Sequence, residues 1–545
     1  MRRLTLPGAV LLALAVVFVI AWATQPGATR VAVSGGQEAA VTSVTRSCPP
    51  AAPGSTPAQI SMIALPAPAA SASSATAGSA AARPAATPTG AATFSAVVDA
   101  APAAVGGKTS AGQASPSGKK PVTVSAPGTV ATVAAPGAGG TAVAATGRMA
   151  EGFEAEQSDA SGTGLVSCTH PGSDMWFVGT GQATGAPQIR LYLMNTGTLT
   201  ASADVTVLTD TGQQNGLSSA ITVAPNQSVS ENITPYVQGS QAVALHVQAT
   251  AGQVAASVWE GDGTGGGAWL PQANAPATSL VIPGLTVASS AARLFVMVPG
   301  STDAQLKVVA YTPSGAVTQF PGSPVDASAS AVTPLTLNSL GASAAGLKLT
   351  SNEPIVAGVL VPGAGIGSFT TAVPPVTEQG VVAGNPAAKG VTVGLLLTAP
   401  SAAAQVSISV ISADGSVTTP AGDQSVAVAA GHTRAVAVPR PSQAGRQPFA
   451  IAVTPRPGSG PLYAVRVVTS GTGGLTAPLT SLLPVPSALT SITLPPAQDS
   501  YTAVLPLSPS RLAAPAPLGL SWLGLSGLVC AFERFYRGRL RFRAG

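Results

Sequence analysis

Ser301–Gly315 reads STDAQLKVVAYTPSG, and Ser401–Gly415, 100 positions later, reads SAAAQVSISVISADG without a gap between the two. Thr198–Gly212, TLTASADVTVLTDTG, carries the same Ala-x-apolar-x-apolar pattern before a closing Gly. Apolar residues at every second position, rich in Val, Ile and Thr and closed by Gly, Pro, Asn or Asp, are the pattern of half-buried strands. The similarity runs outward from this core. Arg190-Leu191-Tyr192-Leu193 lies over Arg293-Leu294-Phe295-Val296, with Gly394-Leu395-Leu396-Leu397 as a weaker third copy. Downstream, Val254–Gly261, Val356–Gly363 and Ala464–Gly471 correspond, and a further strand precedes each unit at Trp176–Gly179, Leu280–Gly284 and Gly380–Gly384. Six or seven strands in roughly 100 residues is the size of an immunoglobulin-like β-sandwich. The expected fold is therefore all-β, with tandem immunoglobulin-like sandwiches at 171–272, 273–374 and 375–480. A propeller is the rival, but its blades need a repeat near 40–50 residues that is not found.

Of the 545 residues only 8% are charged and 4% aromatic, while Gly and Pro number 61 and 49. The net charge of +5 is carried by the ends, since residues 511–545 hold six Arg against one Glu and Arg2 and Arg3 lie at the start. The remainder has no excess of basic residues with which to bind nucleic acid.

Met1-Arg2-Arg3 precedes an uncharged run from Leu4 to Gly27. Basic residues before such a run keep that end cytoplasmic and send the rest across the membrane. Residues 1–28 are read as a signal-anchor helix, because the apolar core approaches the ~20 residues that span a bilayer. The alternative is a removed export signal, for which Ala21-Trp22-Ala23 fits the small-x-small cleavage rule. Residues 29–170, dominated by Ala, Pro, Ser, Thr and Gly, are expected to form a stalk. Gln59–Leu65, Pro121–Ser125 and Thr129–Val133 have strand character within it and suggest a loose β domain. After an extended segment at 481–511, residues 512–545 join an uncharged stretch to a basic tail. This is either a second span under the positive-inside rule or a basic tail beside acidic lipid.

Cys48 and Cys168 are the only cysteines between the two terminal apolar stretches. Export favours a disulfide between them, closing a loop of about 120 residues; two buried, unpaired thiols are the alternative. Chemistry-bearing motifs are sparse. His170, His246 and His432 have no acidic neighbour in sequence at ligand or relay spacing, and neither His-Glu-x-x-His nor Gly-x-Ser-x-Gly occurs. Gly107-Lys108-Thr109 imitates the end of a phosphate loop, but Pro102 stands where its first Gly is required. No catalytic residue, metal site or cofactor is expected. The one binding candidate is Trp259 with Trp269, which flank the loop Glu260–Gly267. The inward alternation of Val254, Ala256 and Val258 turns Trp259 outward, where an indole can stack on a sugar ring; burial of both at a module junction is the competing reading.

Arg46–Pro50, Ser167–Gly172 leading into Trp176–Gly179, and Leu191–Gly197, taken with the N-terminal apolar run, resemble an actinobacterial family of membrane-anchored secreted proteins known only as a domain of unknown function. The resemblance implies an extracytoplasmic, all-β body over about residues 1–500 and lends no activity. The expected function is that of a non-enzymatic envelope protein, single-pass or two-pass in the cell membrane or else secreted, that binds or scaffolds wall glycan or envelope proteins. Its rivals are an accessory subunit of an envelope polysaccharide enzyme and, further off, a divergent hydrolase.

Overall fold

The computed structural model describes residues 37–494, apart from segments 67–89 and 100–120 and several shorter loops. The N-terminal apolar run and the C-terminal stretch 512–545 lie outside the described residues, and among those described no helix is long and apolar enough to cross a membrane. Among the described residues strands account for nearly all the regular structure and the only helices are three single 3-10 turns, so the fold is all-β.

The repeated stretch forms the same hairpin three times. Ala201–Thr209 turns back into Gly212–Gln214, Ala304–Thr312 into Gly315–Val317, and Ala404–Ile411 into Val417–Thr418. In the first strand of each, alternate residues are buried from Ala201, Ala304 and Ala404 onward, as the sequence alternation requires. The closing glycines Gly212, Gly315 and Gly415 have φ of 105°, 116° and 84°, a region that side chains with a Cβ rarely enter.

Each hairpin belongs to a module of two packed sheets. In the module spanning 174–270, one sheet runs Asp174–Thr180, Ala242–Ala251, Ala201–Thr209, Gly212–Gln214, with Ile221–Val223 also on the third of these. The other runs Gly267–Leu270, Ala255–Gly261, Gln188–Asn195, Gln227–Asn232. Numbered along the chain within the module, the orders are 1-7-3-4, with strand 5 also on 3, and 9-8-2-6. The module at 380–484 repeats both. So does the one at 277–371, where strands 7 and 8 are fused into the single 18-residue strand Ala344–Val361.

Residues 43–167, within the region expected to be a stalk threaded by a loose β domain, hold the same arrangement a fourth time. One sheet runs Ser43–Cys48, Thr141–Thr146, Ala92–Ala96, Val122–Val124, and the other Leu165–Ser167, Phe153–Ser158, Gln59–Ala64, Ala131–Ala134. The orders are 1-7-3-5 and 9-8-2-6. Only the fourth strand departs. Val98–Asp99 leaves its own sheet and pairs parallel with Gln227 and Ser228 at the edge of the next module. A core of Ile60, Met62, Phe94, Val143, Met149 and Phe153 fills the space between the sheets. Cys48 and Cys168 are joined in a disulfide with their Cα atoms 4.2 Å apart, tying the end of the module's first strand to the residue just beyond its last.

The four modules, called first to fourth in chain order, form a closed cycle of contacts. One continuous core joins the second to the third, with Phe295, Met297, Val356 and Phe369 packed among residues of the second. Another joins the third to the fourth through Leu396, Val465, Val467 and Leu482. The cycle closes when Ile63 and Val130 of the first module pack with Val381, Ala383, Ile411 and Ala450 of the fourth.

A buried ion pair crosses that closing junction. Arg466 Nη1 lies 2.6 Å from Glu156 Oε2, with the two side chains 0% and 3% exposed, and the Gly384 amide donates to the same oxygen at 3.2 Å. Removing one member of such a pair strands the other charge away from water, which typically costs about 3–5 kcal/mol. Arg466→Ala should therefore lower stability by about that amount, read as a fall in the urea midpoint, whereas joint replacement by Arg466→Met and Glu156→Leu should be distinctly milder.

Candidate functional site

The first, second and fourth modules and the link that follows the third contribute walls to one cleft of about 730 Å³. The first supplies Arg46 and Glu154, the second Phe177, Ser257 and Trp269, and the link from third to fourth supplies Pro374 and Pro375; Leu483–Ser487 and Leu489 come from the fourth. A second cavity of about 200 Å³ adjoins it and takes lining residues from the ninth strand of every module, including Leu165, Trp269, Ser368 and Ser481. Trp269 borders both spaces.

The polar floor of the cleft is set by strand periodicity. Phe153–Ser158 reads FEAEQS, and its glutamates, two residues apart, share one face. Glu156 goes to Arg466, while Glu154 meets Arg46 of the same module at 3.3 Å. Burial raises the Glu154 carboxyl from its ordinary 4.5 to about 7, against the opposing pull of the Arg46 guanidinium. His170 beside them is held below its ordinary value by burial and by the Arg46 charge. Ser257, 3% exposed, has a hydroxyl oxygen with no hydrogen-bond partner among the described residues.

The structure separates the two tryptophans. Trp259 is 3% exposed, not outward-facing, because the strand Ala255–Gly261 is buried along its whole length on both faces. Its ring lies across Gly261 and Gly267, where an added Cβ would collide with it; this accounts for two of the glycines in the loop that the tryptophans flank. Trp269 is half-buried and faces Tyr192 at 5.8 Å between ring centroids, tilted by 50°. Of the pair, Trp269 is the one on the wall of the larger cleft.

His246 is partly exposed, between buried Leu245 and Val247. It sits opposite Trp176 across two strands, stacks on that ring at 3.7 Å, and its Nε2 lies 2.7 Å from Asp174 Oδ1. The acidic neighbour is 72 residues away in sequence and becomes adjacent only through strand pairing. His432 is half-buried and its Nδ1 lies 2.8 Å from the Ala430 carbonyl, away from the cleft. Among the described residues no three His, Cys, Asp or Glu side chains converge as a metal site requires.

Arg46, Glu154 and Ser257 escaped the sequence reading as a group because they come from three strands in two modules. The available signal was Glu154 with Glu156, two of only 20 acids in the chain, on one face of a single short strand.

Fold and site together define an all-β protein of four like modules with a ligand-sized cleft at their junction. The chain belongs to the family described as Family of unknown function (DUF5719), whose sequence model matches residues 122–439, more than half of the chain. That match runs from the fifth strand of the first module into the sixth strand of the fourth. No curated protein and no solved structure gives a significant match.

Glu260 is a second buried carboxyl, raised by burial from 4.5 to about 8 although Thr180 supplies both its amide and its hydroxyl to it. Because the unfolded chain releases this proton near 4.5 and the folded chain only near 8, its stabilising effect is complete below pH 4.5 and is lost as pH rises to about 8. Glu260→Gln, which cannot ionise, should lose less of its thermal midpoint than the parent between about pH 5 and 8.5.

Proposed function

We propose that this chain is a non-catalytic cell-envelope protein, anchored through residues 1–28 in an actinobacterial membrane, whose body binds or scaffolds wall glycan or envelope proteins outside the cytoplasm. The observation that carries the reading is the cleft between the first, second and fourth modules. It combines an aromatic wall with buried polar groups, and it is held by module contacts rather than by one mobile loop. Ligand sites are usually concave, mainly apolar and equipped with a few well-placed polar groups.

Further features support the compartment. A disulfide persists in oxidising surroundings and is rare in the cytoplasm. The Val41 amide donates to the Thr490 carbonyl at 3.0 Å, so the chain enters and leaves the body side by side.

Alkaline phosphatase fused after residue 500 should be active, since that reporter folds only outside the cytoplasm, and fusion after Gly545 should be inactive if the 512–545 stretch returns across the membrane. Incubation of the full chain with isolated insoluble wall polymer, and separately with detergent-solubilised envelope proteins, distinguishes the partners. Sedimentation with wall polymer is the expected result. Capture of a polysaccharide enzyme alone would favour the accessory-subunit reading, and failure to bind either would overturn the proposal.

A further inference from the structure

The reading above leaves the ligand class and the contact residues open, and the cleft geometry narrows both. We propose that the junction cleft is a binding site for a neutral oligosaccharide, with the Trp269 ring as its stacking platform and the Arg46–Glu154 pair and Ser257 as its hydrogen-bonding floor. The inference rests on the proposed binding role.

Size is the first consideration. About 730 Å³ falls within the roughly 300–1,000 Å³ of typical ligand sites and exceeds what one small ion or water cluster needs. Chemistry is the second. Arg46 presents only donors, Glu154 an acceptor when ionised, and they lie 3.3 Å apart. A donor beside an acceptor matches vicinal hydroxyls, each of which both gives and takes a hydrogen bond. An anion would meet Glu154, and a cation would meet Arg46. A lipid chain would offer no partner to the Ser257 hydroxyl or to the remaining donors of Arg46.

Ser257 supplies an independent indication. Its side chain is buried on the cleft wall, yet its hydroxyl oxygen has no partner among the described residues. Buried hydroxyls are nearly always paired, so an unpaired one beside a cavity points to a ligand that completes it. The Trp269 ring lies on the same wall, where the apolar C–H face of a pyranose can pack on an indole while its hydroxyls remain free to bond. Gln272 and Asn274, which also line the cleft, carry further amide donors and acceptors.

The experiment uses the purified full chain in detergent on an array of defined neutral, acidic and basic oligosaccharides, followed by tryptophan-fluorescence titration with the best-retained glycan. Neutral oligosaccharides should be retained. Trp269→Ala should weaken binding about tenfold or more and Trp269→Phe by no more than about threefold, because an aromatic face remains. Ser257→Ala should weaken binding about 3–10-fold while leaving the thermal midpoint unchanged or raised, since the hydroxyl it removes is unpaired in the protein. A purely structural Ser257 would give no change in binding, so this variant decides the matter even if Trp269→Ala misfolds. Val417→Ala, at an exposed site on the fourth module, is the control and should bind as the parent does.

The proposal is overturned if the array retains no neutral glycan, if only charged glycans bind, or if a proline-rich peptide alone occupies the cleft. It is overturned equally if Ser257→Ala binds as the parent does, or if a folded Trp269→Ala does. If the full chain still sediments with wall polymer in such a case, the envelope-binding reading survives and only this site assignment fails; if sedimentation fails as well, both fall.

Discussion

The contact between Arg466 and Glu156 is what turns a linear series of modules into a closed body. The two residues are 310 positions apart and come from the last and first modules. Each is removed from water, so neither is tolerable alone, and the penalty of separating them enforces one mutual placement of the chain's two ends. The pair is not fully satisfied, because Arg466 Nε and Nη2 find no acceptor among the described residues. Incomplete pairing makes it a weak source of net stability and a strong source of specificity. The apolar contacts of Ile63, Val130, Val381 and Ile411 provide the adhesive area, and the charges dictate its register.

Closure also explains where the functional surfaces lie. In a free-standing sandwich each sheet has one core face and one wet face. Here Phe153–Ser158, Ala255–Gly261 and Gly380–Asn385 are buried at every position, because the outer faces of these strands meet neighbouring modules. The interior of the cycle is therefore a second environment, neither core nor solvent, in which Glu154 keeps its proton well above the usual carboxylate range. Polar groups placed there act on whatever enters the cleft with little competition from bulk water.

This geometry sets what the sequence could disclose. The hairpins at 201–214, 304–317 and 404–418 were legible because their alternation and closing glycines are local. The first module was not legible as a further copy. Segments 67–89 and 100–120 separate its second, third and fifth strands, which dilutes the periodicity, and its fourth strand pairs with the neighbouring module instead of its own sheet. Trp259 shows a different limit. Alternation correctly places it on the face opposite Val258, but the rule names a face and says nothing of what covers it. Trp269 could be found from its type and position, whereas Arg46, Glu154 and Ser257 become neighbours only after the modules assemble.

Open repeat arrays have two ends, need polar terminal units to cap them, and tolerate gain or loss of a unit because each contacts only its neighbours. A cycle has no ends to cap. With four units the last returns to the first, and a missing first or last unit would leave Glu156 or Arg466 without its partner. Duplication and deletion, the usual routes by which repeat proteins change length, are thus closed to this architecture. Variation is confined to insertions within a unit, which is where the longest low-complexity segments of the body occur, between Gln59–Ala64 and Ala92–Ala96 and between Val98–Asp99 and Val122–Val124.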